Sequence, residues 1–174
     1  MDEVNGKRKA MASDQHAILV VCTGNICRST MGEWMLRDMV RARGLDLHVA
    51  SAGTSAEETG NPASRYSVEE ARRRGYRVPD HSARQVRDED FAIFDVMLGM
   101  TRRHMDLLER RRPAGVTMLV GHFMEHSPRW PGEDVPDPWG GSRADYAHAA
   151  DMIEDGAKGL AQWLLQQVSM PVRR

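Results

Sequence analysis

The feature that most constrains the fold is a short apolar run that leads straight into a turn. Residues 16–22, HAILVVC, form a continuous run rich in branched side chains, and Thr-Gly-Asn follows at once. Such a run is typical of a strand that is buried on both faces of a parallel sheet. Apolar residues then recur at helical spacing over residues 29–43, and Gly44 follows as a stop. The sequence therefore predicts a strand, a turn and a helix in that order.

Strands and helices alternate along the rest of the chain. Strands are predicted at residues 46–53, 96–100 and 116–120, and helices at 61–75, 86–95, 101–112 and about 142–167. Asn61 and the proline after it predict the start of the second helix. This alternation predicts an α/β fold, in which a single domain has a four-stranded parallel sheet with helices on both faces, doubly wound and flavodoxin-like.

Length and charge exclude several classes of protein. The chain has 174 residues, 24 basic and 25 acidic, with a formal net charge of -1, so it can bury one core. That balance gives no reason to expect nucleic acid or a membrane as a partner. Residues 1–15 are polar without an apolar period, so we expect a flexible N-terminal tail before a domain at residues 16–170. No segment resembles a membrane span or a secretory signal, which predicts a cytoplasmic protein and leaves secretion by a signal-less route open.

The turn after the first strand, residues 22–29, combines residue types that bind and attack an anion, and we call it the anion loop. Ligands of such sheets bind at the carboxyl ends of the strands, and the amides of the helix that follows favour an anion. Gly24 and Asn25 are residue types that adopt left-handed backbone angles, which let successive N–H groups point inward. There the amides and Arg28 would stabilise the thiolate of Cys22, giving a nucleophile at neutral pH. The Arg28 guanidinium can also hold two oxygens of a phosphoryl group.

The segment VCTGNICRS resembles the signature of the low-molecular-weight protein tyrosine phosphatases. The resemblance continues through SAGT, DHSARQV, EDFAIFD and DPW, in the family's order and over about 150 residues. It implies hydrolysis of phosphotyrosine in proteins through a phosphocysteine intermediate, without a metal or another cofactor and with inorganic phosphate as a product. The MT pair that precedes His104 and the stretch DPWGGS are more similar to bacterial members, some of which dephosphorylate arginine.

The resemblance implies a role for each residue that matches the family's pattern. Cys22 matches the nucleophile, Arg28 the phosphate-binding arginine, and Ser29 the hydroxyl that stabilises the thiolate. Asp137 matches the general acid, which the reaction needs because the leaving oxygen must be protonated. Taken alone, its Asp-Pro pair is more typical of a turn. The remaining members of the anion loop, which would surround the phosphate, are Thr23, Gly24, Asn25, Ile26 and Cys27.

Further matches concern the support of the anion loop and its redox chemistry. Asn25, Ser51 and His81 match positions that the family joins by hydrogen bonds, and an asparagine in a left-handed conformation needs such support. Cys27 matches a cysteine that forms a reversible disulfide with the nucleophile. A resolving thiol of this kind protects a reactive cysteine from irreversible oxidation. The alternative, that Cys27 is a small buried apolar residue, stays open.

Four residues bear on the choice of substrate. Arginine phosphatases that resemble this loop carry threonine where this chain has Ile26, so we expect phosphotyrosine and keep protein arginine phosphatase as the alternative. Trp139, directly after Asp-Pro, is predicted as one wall of the substrate pocket. The opposite wall is predicted near Glu57 and Glu58, where relatives often have an aromatic residue. Bacterial relatives imply a tyrosine kinase of polysaccharide export or a host protein as the phosphorylated partner, and no residue selects between them.

Other chemistries fit the sequence less well. An arsenate reductase on this scaffold needs cysteines outside the loop, whereas the chain has only Cys22 and Cys27. A phosphoprotein-binding module would ordinarily have lost Cys22 or Asp137. His122 and His126 have the spacing of helix-borne metal ligands, but no further ligand is evident in the sequence, so we expect no metal site. The loop also lacks the Gly-Lys-Ser/Thr ending of nucleotide-triphosphatases.

Overall fold

The predicted strands form one parallel sheet in a computed structural model that describes residues 16–169. The strands are β1 (His16–Cys22), β2 (Leu47–Gly53), β3 (Val96–Gly99) and β4 (Leu119–His122). Their order is β2-β1-β3-β4, and each neighbouring pair is parallel. Because the strand order reverses at β1, its carboxyl end lies where such sheets bind ligands. The predicted tail, residues 1–15, and residue 170 lie outside the described residues.

Helices cover both faces of the sheet, which confirms the predicted fold class. They are α1 (Arg28–Ala42), α2 (Arg65–Arg73), α3 (Asp90–Ile93), α4 (Arg102–Arg111) and α5 (Arg143–Ser169). On one face, α1 and α5 pack together, with Met31 and Ile153 fully buried. On the other face, Phe91 of α3 and Leu108 of α4 join a second apolar cluster. Alternate side chains of β1 enter the two clusters, so β1 is buried on both faces as its composition predicts.

The last strand lies further along the chain than the sequence pattern predicts. The pattern places β4 at residues 116–120, but β4 begins at Leu119 and ends at His122. The guanidinium of Arg112 donates hydrogen bonds to the carbonyl oxygens of Val116 and Met118. These bonds hold the start of the predicted strand in the connection after α4, and the sheet gains Gly121 and His122 instead.

Two helices are shorter than predicted. The side chain of Asn61 donates to Glu58 at 2.8 Å and does not cap α2, which begins at Arg65 after an N-cap at Ser64. The helix predicted at residues 86–95 is limited to the four residues of α3. In residues 16–169 no helix is long and apolar enough to cross a bilayer.

Candidate active site

The anion loop forms part of a cavity that contains most of the predicted site residues. Cys22 ends β1 and Arg28 begins α1, so a strand and a helix fix the two ends of the loop. The cavity has a volume of about 180 Å³. It is lined by Cys22, Thr23, Gly24, Ile26, Cys27, Arg28, Glu57, Glu58, Asp137 and Trp139. A thiol, a guanidinium and a carboxylate therefore surround one space.

Backbone N–H groups of the anion loop are available to an anion. The N–H groups of residues 24–27 donate to no protein acceptor within residues 16–169. Asn25 has a φ of 60°, the left-handed conformation that lets successive N–H groups of a loop point to one side. Gly24 is not left-handed, so that part of the prediction is wrong. The absence of a side chain at Gly24 instead leaves room for Glu58, because a Cβ there would lie 3.1 Å from Cγ of Glu58.

Asn25 is the centre of the hydrogen-bond network that holds the anion loop. Its Nδ2 donates to Oγ of Ser29 and to Oγ of Ser51, both at 2.9 Å. Its carbonyl oxygen accepts from Nε2 of His81 at 2.7 Å, and its Oδ1 accepts from the N–H of Arg84 at 3.1 Å. Because Asn25 is fully buried, these bonds hold a residue whose left-handed backbone is strained. Ser51 and His81 thus contact the residue that the resemblance pairs with them.

Cys22 is buried in the cavity beside the Ser29 hydroxyl. The Cys22 sulfur and the Ser29 oxygen are 3.0 Å apart. Because Asn25 already donates to this oxygen, the Ser29 hydroxyl proton is left to point at the sulfur once Cys22 is a thiolate. A hydrogen bond of this kind favours a thiolate over a thiol.

Arg28 links the anion loop to the rim of the cavity, which we define as Asp137 and Trp139. Its Nη1 donates to the carbonyl oxygen of Val135 at 3.0 Å, and its Nη2 lies 3.6 Å from Oδ2 of Asp137. Arg28 is buried, whereas the Asp137 side chain is 54% exposed. The N–H of Trp139 donates to Oδ1 of Asp137 at 3.1 Å. A carboxylate is therefore held next to the guanidinium at the mouth of the cavity.

The walls of the cavity differ in chemistry. Ile26 and Trp139 provide apolar surface, and Trp139 is 60% exposed. Glu57 and Glu58 provide an acidic wall. Both of the walls that the sequence predicts therefore line the same cavity, and one of them carries negative charge.

Cys27 is a buried free thiol that lies between two hydroxyl groups. Its sulfur is 3.3 Å from Oγ of Ser64 and 3.5 Å from the hydroxyl of Tyr146. Burial raises the pKa of Cys27 despite the hydrogen bond to Ser64, so this thiol is protonated at neutral pH. Cys22 is a free thiol as well. Cys27 is therefore hydrogen-bonded rather than purely apolar, and a disulfide between the two cysteines stays a prediction.

Gly53, a residue that the sequence analysis does not single out, makes room for the anion loop. A Cβ at Gly53 would overlap the carbonyl oxygen of Thr23 and lie 3.2 Å from the backbone nitrogen of Asn25. Glycine at the end of β2 thus lets the loop backbone lie directly against it. The sequence signal that could have found it is its place in SAGT, at the end of a predicted strand.

His104, also missed as a contact of the site, joins the anion loop to the start of α4. Its Nε2 lies 2.9 Å from Oγ1 of Thr23, and its Nδ1 lies 3.1 Å from Oγ1 of Thr101. Burial and, less strongly, the positive charge of Arg28 lower the pKa of His104 to about 4. The ring is therefore neutral at physiological pH and acts as a hydrogen-bonding bridge between two threonines.

The two histidines with the spacing of metal ligands lie in separate environments. His122 accepts the N–H of Met124 at Nδ1 and contacts Asp134 through Nε2. His126 stacks on Trp163 with ring centroids 4.7 Å apart. In the part of the chain that the structure describes, no group of three His, Cys, Asp or Glu side chains is placed to hold a metal ion.

The chain is similar to known phosphatases in sequence and in structure. The family model described as low molecular weight phosphotyrosine protein phosphatase matches residues 17–170. The chain is 32% identical to low molecular weight protein-tyrosine phosphatase A of Mycobacterium tuberculosis over 159 residues, covering 90% of this chain and 96% of that protein. A crystal structure of a low molecular weight phosphotyrosine phosphatase from Vibrio cholerae O395 superposes with a TM-score of 0.80 at 32% identity, covering 89% and 99% of the two chains. YwlE arginine phosphatase, as a variant with a phosphorylated active-site serine, superposes with a TM-score of 0.73 at 28% identity, covering 85% and 95%.

Proposed function

The chain belongs to the low molecular weight phosphotyrosine protein phosphatase family and is a protein-tyrosine phosphatase, and we propose that Cys22 carries its reaction through a phosphocysteine intermediate. In the first step the Cys22 thiolate attacks phosphorus, and the bond from phosphorus to the phenolic oxygen breaks. Asp137 gives its proton to that oxygen, so tyrosine leaves as a neutral phenol. Arg28 and the N–H groups of residues 24–27 bind the other phosphoryl oxygens as the phosphoryl group is transferred.

In the second step a water molecule attacks the phosphocysteine. The Asp137 carboxylate accepts a proton from the water, the bond from phosphorus to sulfur breaks, and inorganic phosphate forms. Cys22 leaves as a thiolate, which the Ser29 hydroxyl and the loop amides stabilise. Water is the only reactant besides the phosphoprotein, and Asp137 regains the proton that it gave in the first step.

The observation that carries this proposal is the convergence of four kinds of group on one cavity. The sulfur of Cys22, the buried guanidinium of Arg28 and the carboxylate of Asp137 all line it. The four N–H groups of residues 24–27 have no acceptor in the described part of the chain. Such a set supports phosphoryl transfer, because a tetrahedral anion can meet a nucleophile, oxygen-binding donors and a proton donor together.

Phosphotyrosine is the substrate that the cavity supports better. Ile26 and Trp139 offer apolar surface to a phenyl ring, and Ile26 has no acceptor for a guanidinium. The protein acts on phosphorylated proteins, and a tyrosine-phosphorylated kinase is the class of partner proposed. The bacterial origin of relatives such as those from Mycobacterium tuberculosis and Vibrio cholerae supports a bacterial kinase in that role.

Protein arginine phosphatase is the second candidate, because the cavity also has an acidic wall. Glu57 and Glu58 can pair with a guanidinium, and the similarity to YwlE arginine phosphatase points the same way. The two candidates share the chemistry at phosphorus and differ only in the group that the walls must bind.

A side-by-side turnover assay separates these candidates. Phosphotyrosine and phosphoarginine are given, with EDTA present, to wild type, Cys22→Ser and Ile26→Thr. We expect wild type to prefer phosphotyrosine, Cys22→Ser to lose turnover while still binding inorganic phosphate, and Ile26→Thr to shift towards phosphoarginine. Residual turnover by Cys22→Ser would contradict the nucleophile, and wild-type preference for phosphoarginine would contradict the substrate.

A further inference from the structure

A buried histidine that the proposed reaction does not use, His122, holds the segment that carries Asp137. The N–H of Met124 donates to Nδ1 of His122 at 3.0 Å, so the ring proton must lie on Nε2. Nε2 then donates to Oδ1 of Asp134 at 2.9 Å. The direction of both hydrogen bonds is thus fixed, from a backbone amide to the ring and from the ring to the carboxylate.

Asp134 is also held from a second direction. Its Oδ1 accepts the N–H of Arg102 at 2.9 Å, and Arg102 is the first residue of α4, where the helix dipole favours a carboxylate. Burial alone would raise the pKa of Asp134, but the hydrogen bonds from His122 and Arg102 outweigh it and hold this pKa below its usual range. Asp134 is therefore ionised at neutral pH and bridges the end of β4 to the start of α4.

The next residue ties the same segment to the sheet and to the anion loop. Val135 is fully buried. Its N–H donates to the carbonyl oxygen of Met100 at 3.0 Å, and its own carbonyl oxygen accepts from Arg28 at 3.0 Å. Asp134 and Val135, which precede the rim, are thus held at four places. Asp134 contacts His122 of β4 and Arg102 of α4. Val135 contacts Met100, which follows β3, and Arg28.

Little freedom remains between these anchors and the Asp137 carboxylate. Pro136 and Pro138 flank Asp137, and a proline fixes its own φ and restricts the residue before it. The contacts of Asp137 itself are fewer and longer than the two 2.9 Å hydrogen bonds of Asp134. Its carboxylate accepts one hydrogen bond, from the N–H of Trp139 at 3.1 Å, and lies 3.6 Å from Arg28. The place of the carboxylate is therefore set mainly by where residues 134 and 135 are held.

We propose that Asp134 is a positioning residue for the general acid. By bridging His122 and Arg102, it keeps the Asp137 carboxylate at the mouth of the cavity. This inference rests on the proposed role of Asp137 as proton donor. Loss of the bridge should misplace that donor while the Asn25 network, which involves none of these residues, continues to hold the anion loop.

The test is turnover by Asp134→Ala on a series of aryl phosphates whose leaving phenols range from strongly to weakly acidic. We expect kcat/KM, which reports the step in which the phenol leaves, to fall roughly tenfold to a hundredfold for the least acidic phenols, because those oxygens need a proton as they leave. For the most acidic phenols kcat/KM should change much less, and inhibition by inorganic phosphate should stay the same. Asp134→Asn, which keeps an Oδ1 acceptor, should recover most of the loss, and Glu133→Ala, at the exposed neighbouring position, should behave as wild type.

Asp137→Ala in the same series shows the full effect of losing the acid and separates the possible failures. Equal losses on every substrate, or weaker inhibition by phosphate, would make Asp134 a merely structural residue and overturn the inference. The inference would also be overturned if Asp134→Ala behaved as wild type on every aryl phosphate while the loss in Asp137→Ala grew as the leaving phenol became less acidic. That outcome would leave the proposed function intact. If Asp137→Ala lost the same activity on every aryl phosphate, Asp137 would not be the proton donor, and Asp134 would have no donor to position.

Discussion

The anion loop and the rim of the cavity are held in very different ways. Asn25 alone takes part in four hydrogen bonds, and it is fully buried. More than half of the Asp137 and Trp139 side chains is exposed. The anion loop is thus buried and hydrogen-bonded as in a protein core, whereas the rim is exposed as on a protein surface.

The proposed reaction gives a reason for this difference. In that reaction the phosphoryl group is the same in every substrate, so a rigid cradle of fixed N–H groups and a guanidinium would serve all of them. The rim would meet the rest of the substrate, whose shape varies, and would also have to admit and release that substrate. Substitutions in the anion loop should therefore damage both stability and activity, whereas substitutions in the rim should affect activity alone.

The largest effect is expected from breaking the anion loop at Asn25. Asn25→Ala removes the side-chain hydrogen bonds to Ser29, Ser51 and the Arg84 backbone. It also leaves an alanine, whose side chain makes no hydrogen bond, in the left-handed conformation at a φ of 60°. We expect the free energy of unfolding to fall by about 3 kcal/mol and kcat to fall on the order of a hundredfold. Chemical denaturation and aryl phosphate turnover measure the two. Asn25→Gly, which suits the left-handed backbone, should recover part of the stability; full activity of Asn25→Ala would show that the network is dispensable.

The rim counterpart is Asp137→Ala. We expect kcat to fall by about a hundredfold for weakly acidic leaving phenols, with the free energy of unfolding unchanged to within about 0.5 kcal/mol because the side chain is exposed. Steady-state kinetics and denaturation of the same preparation measure both quantities. A loss of stability similar to that of Asn25→Ala would erase the distinction between the two regions.

The next effect is confined to acidic pH and is expected from His104, which supports the anion loop as a neutral ring. Its pKa is lowered to about 4 from an ordinary value of 6.5, so between these pH values the unfolded chain binds a proton that the folded chain does not. Stability should therefore fall as the pH falls through this window, by up to about 3 kcal/mol from this group. Unfolding of wild type and His104→Gln at pH 7 and pH 4.5 isolates the contribution. An identical pH dependence in the two proteins would mean that His104 is not held neutral.

The smallest effect is expected at Trp139. Removing this exposed ring by Trp139→Ala should raise KM for a phosphotyrosine peptide about threefold to tenfold, as expected for the loss of an aromatic contact. The free energy of unfolding should stay within about 0.5 kcal/mol of wild type. Peptide kinetics and thermal unfolding measure these values. An unchanged KM would remove Trp139 from the substrate wall.

The sequence predicts the anion loop better than it predicts what supports the loop. Cys22 to Ser29 are contiguous, so their spacing alone brings a thiol and a guanidinium to one turn. Asp137 lies far along the chain, and only the resemblance to a family connects it with the loop. Gly53 and His104 reach the loop through tertiary contacts. The place of Gly53 in SAGT is a signal in the sequence, whereas no local pattern marks the contact of His104.

The fold shows the same division between local and tertiary information. Alternating strands and helices predict the parallel sheet, because each element follows from the period of its own apolar residues. The bounds of β4 do not follow in this way. Gly121 and His122 have little strand preference, yet they pair with Leu98 and Gly99 of β3, and this pairing overrides the local preference.

The central claim is that Cys22 carries the phosphoryl group, and the most direct test is to trap the intermediate. Asp137→Ala is given labelled para-nitrophenyl phosphate, whose acidic phenol leaves without a proton donor, so the first step proceeds and the second is slowed. After an acid quench, peptide mass spectrometry should find phosphate on Cys22, and Cys22→Ala should carry none. Label on a histidine or a carboxylate, or continued turnover with no label on Cys22 under these conditions, would contradict the account.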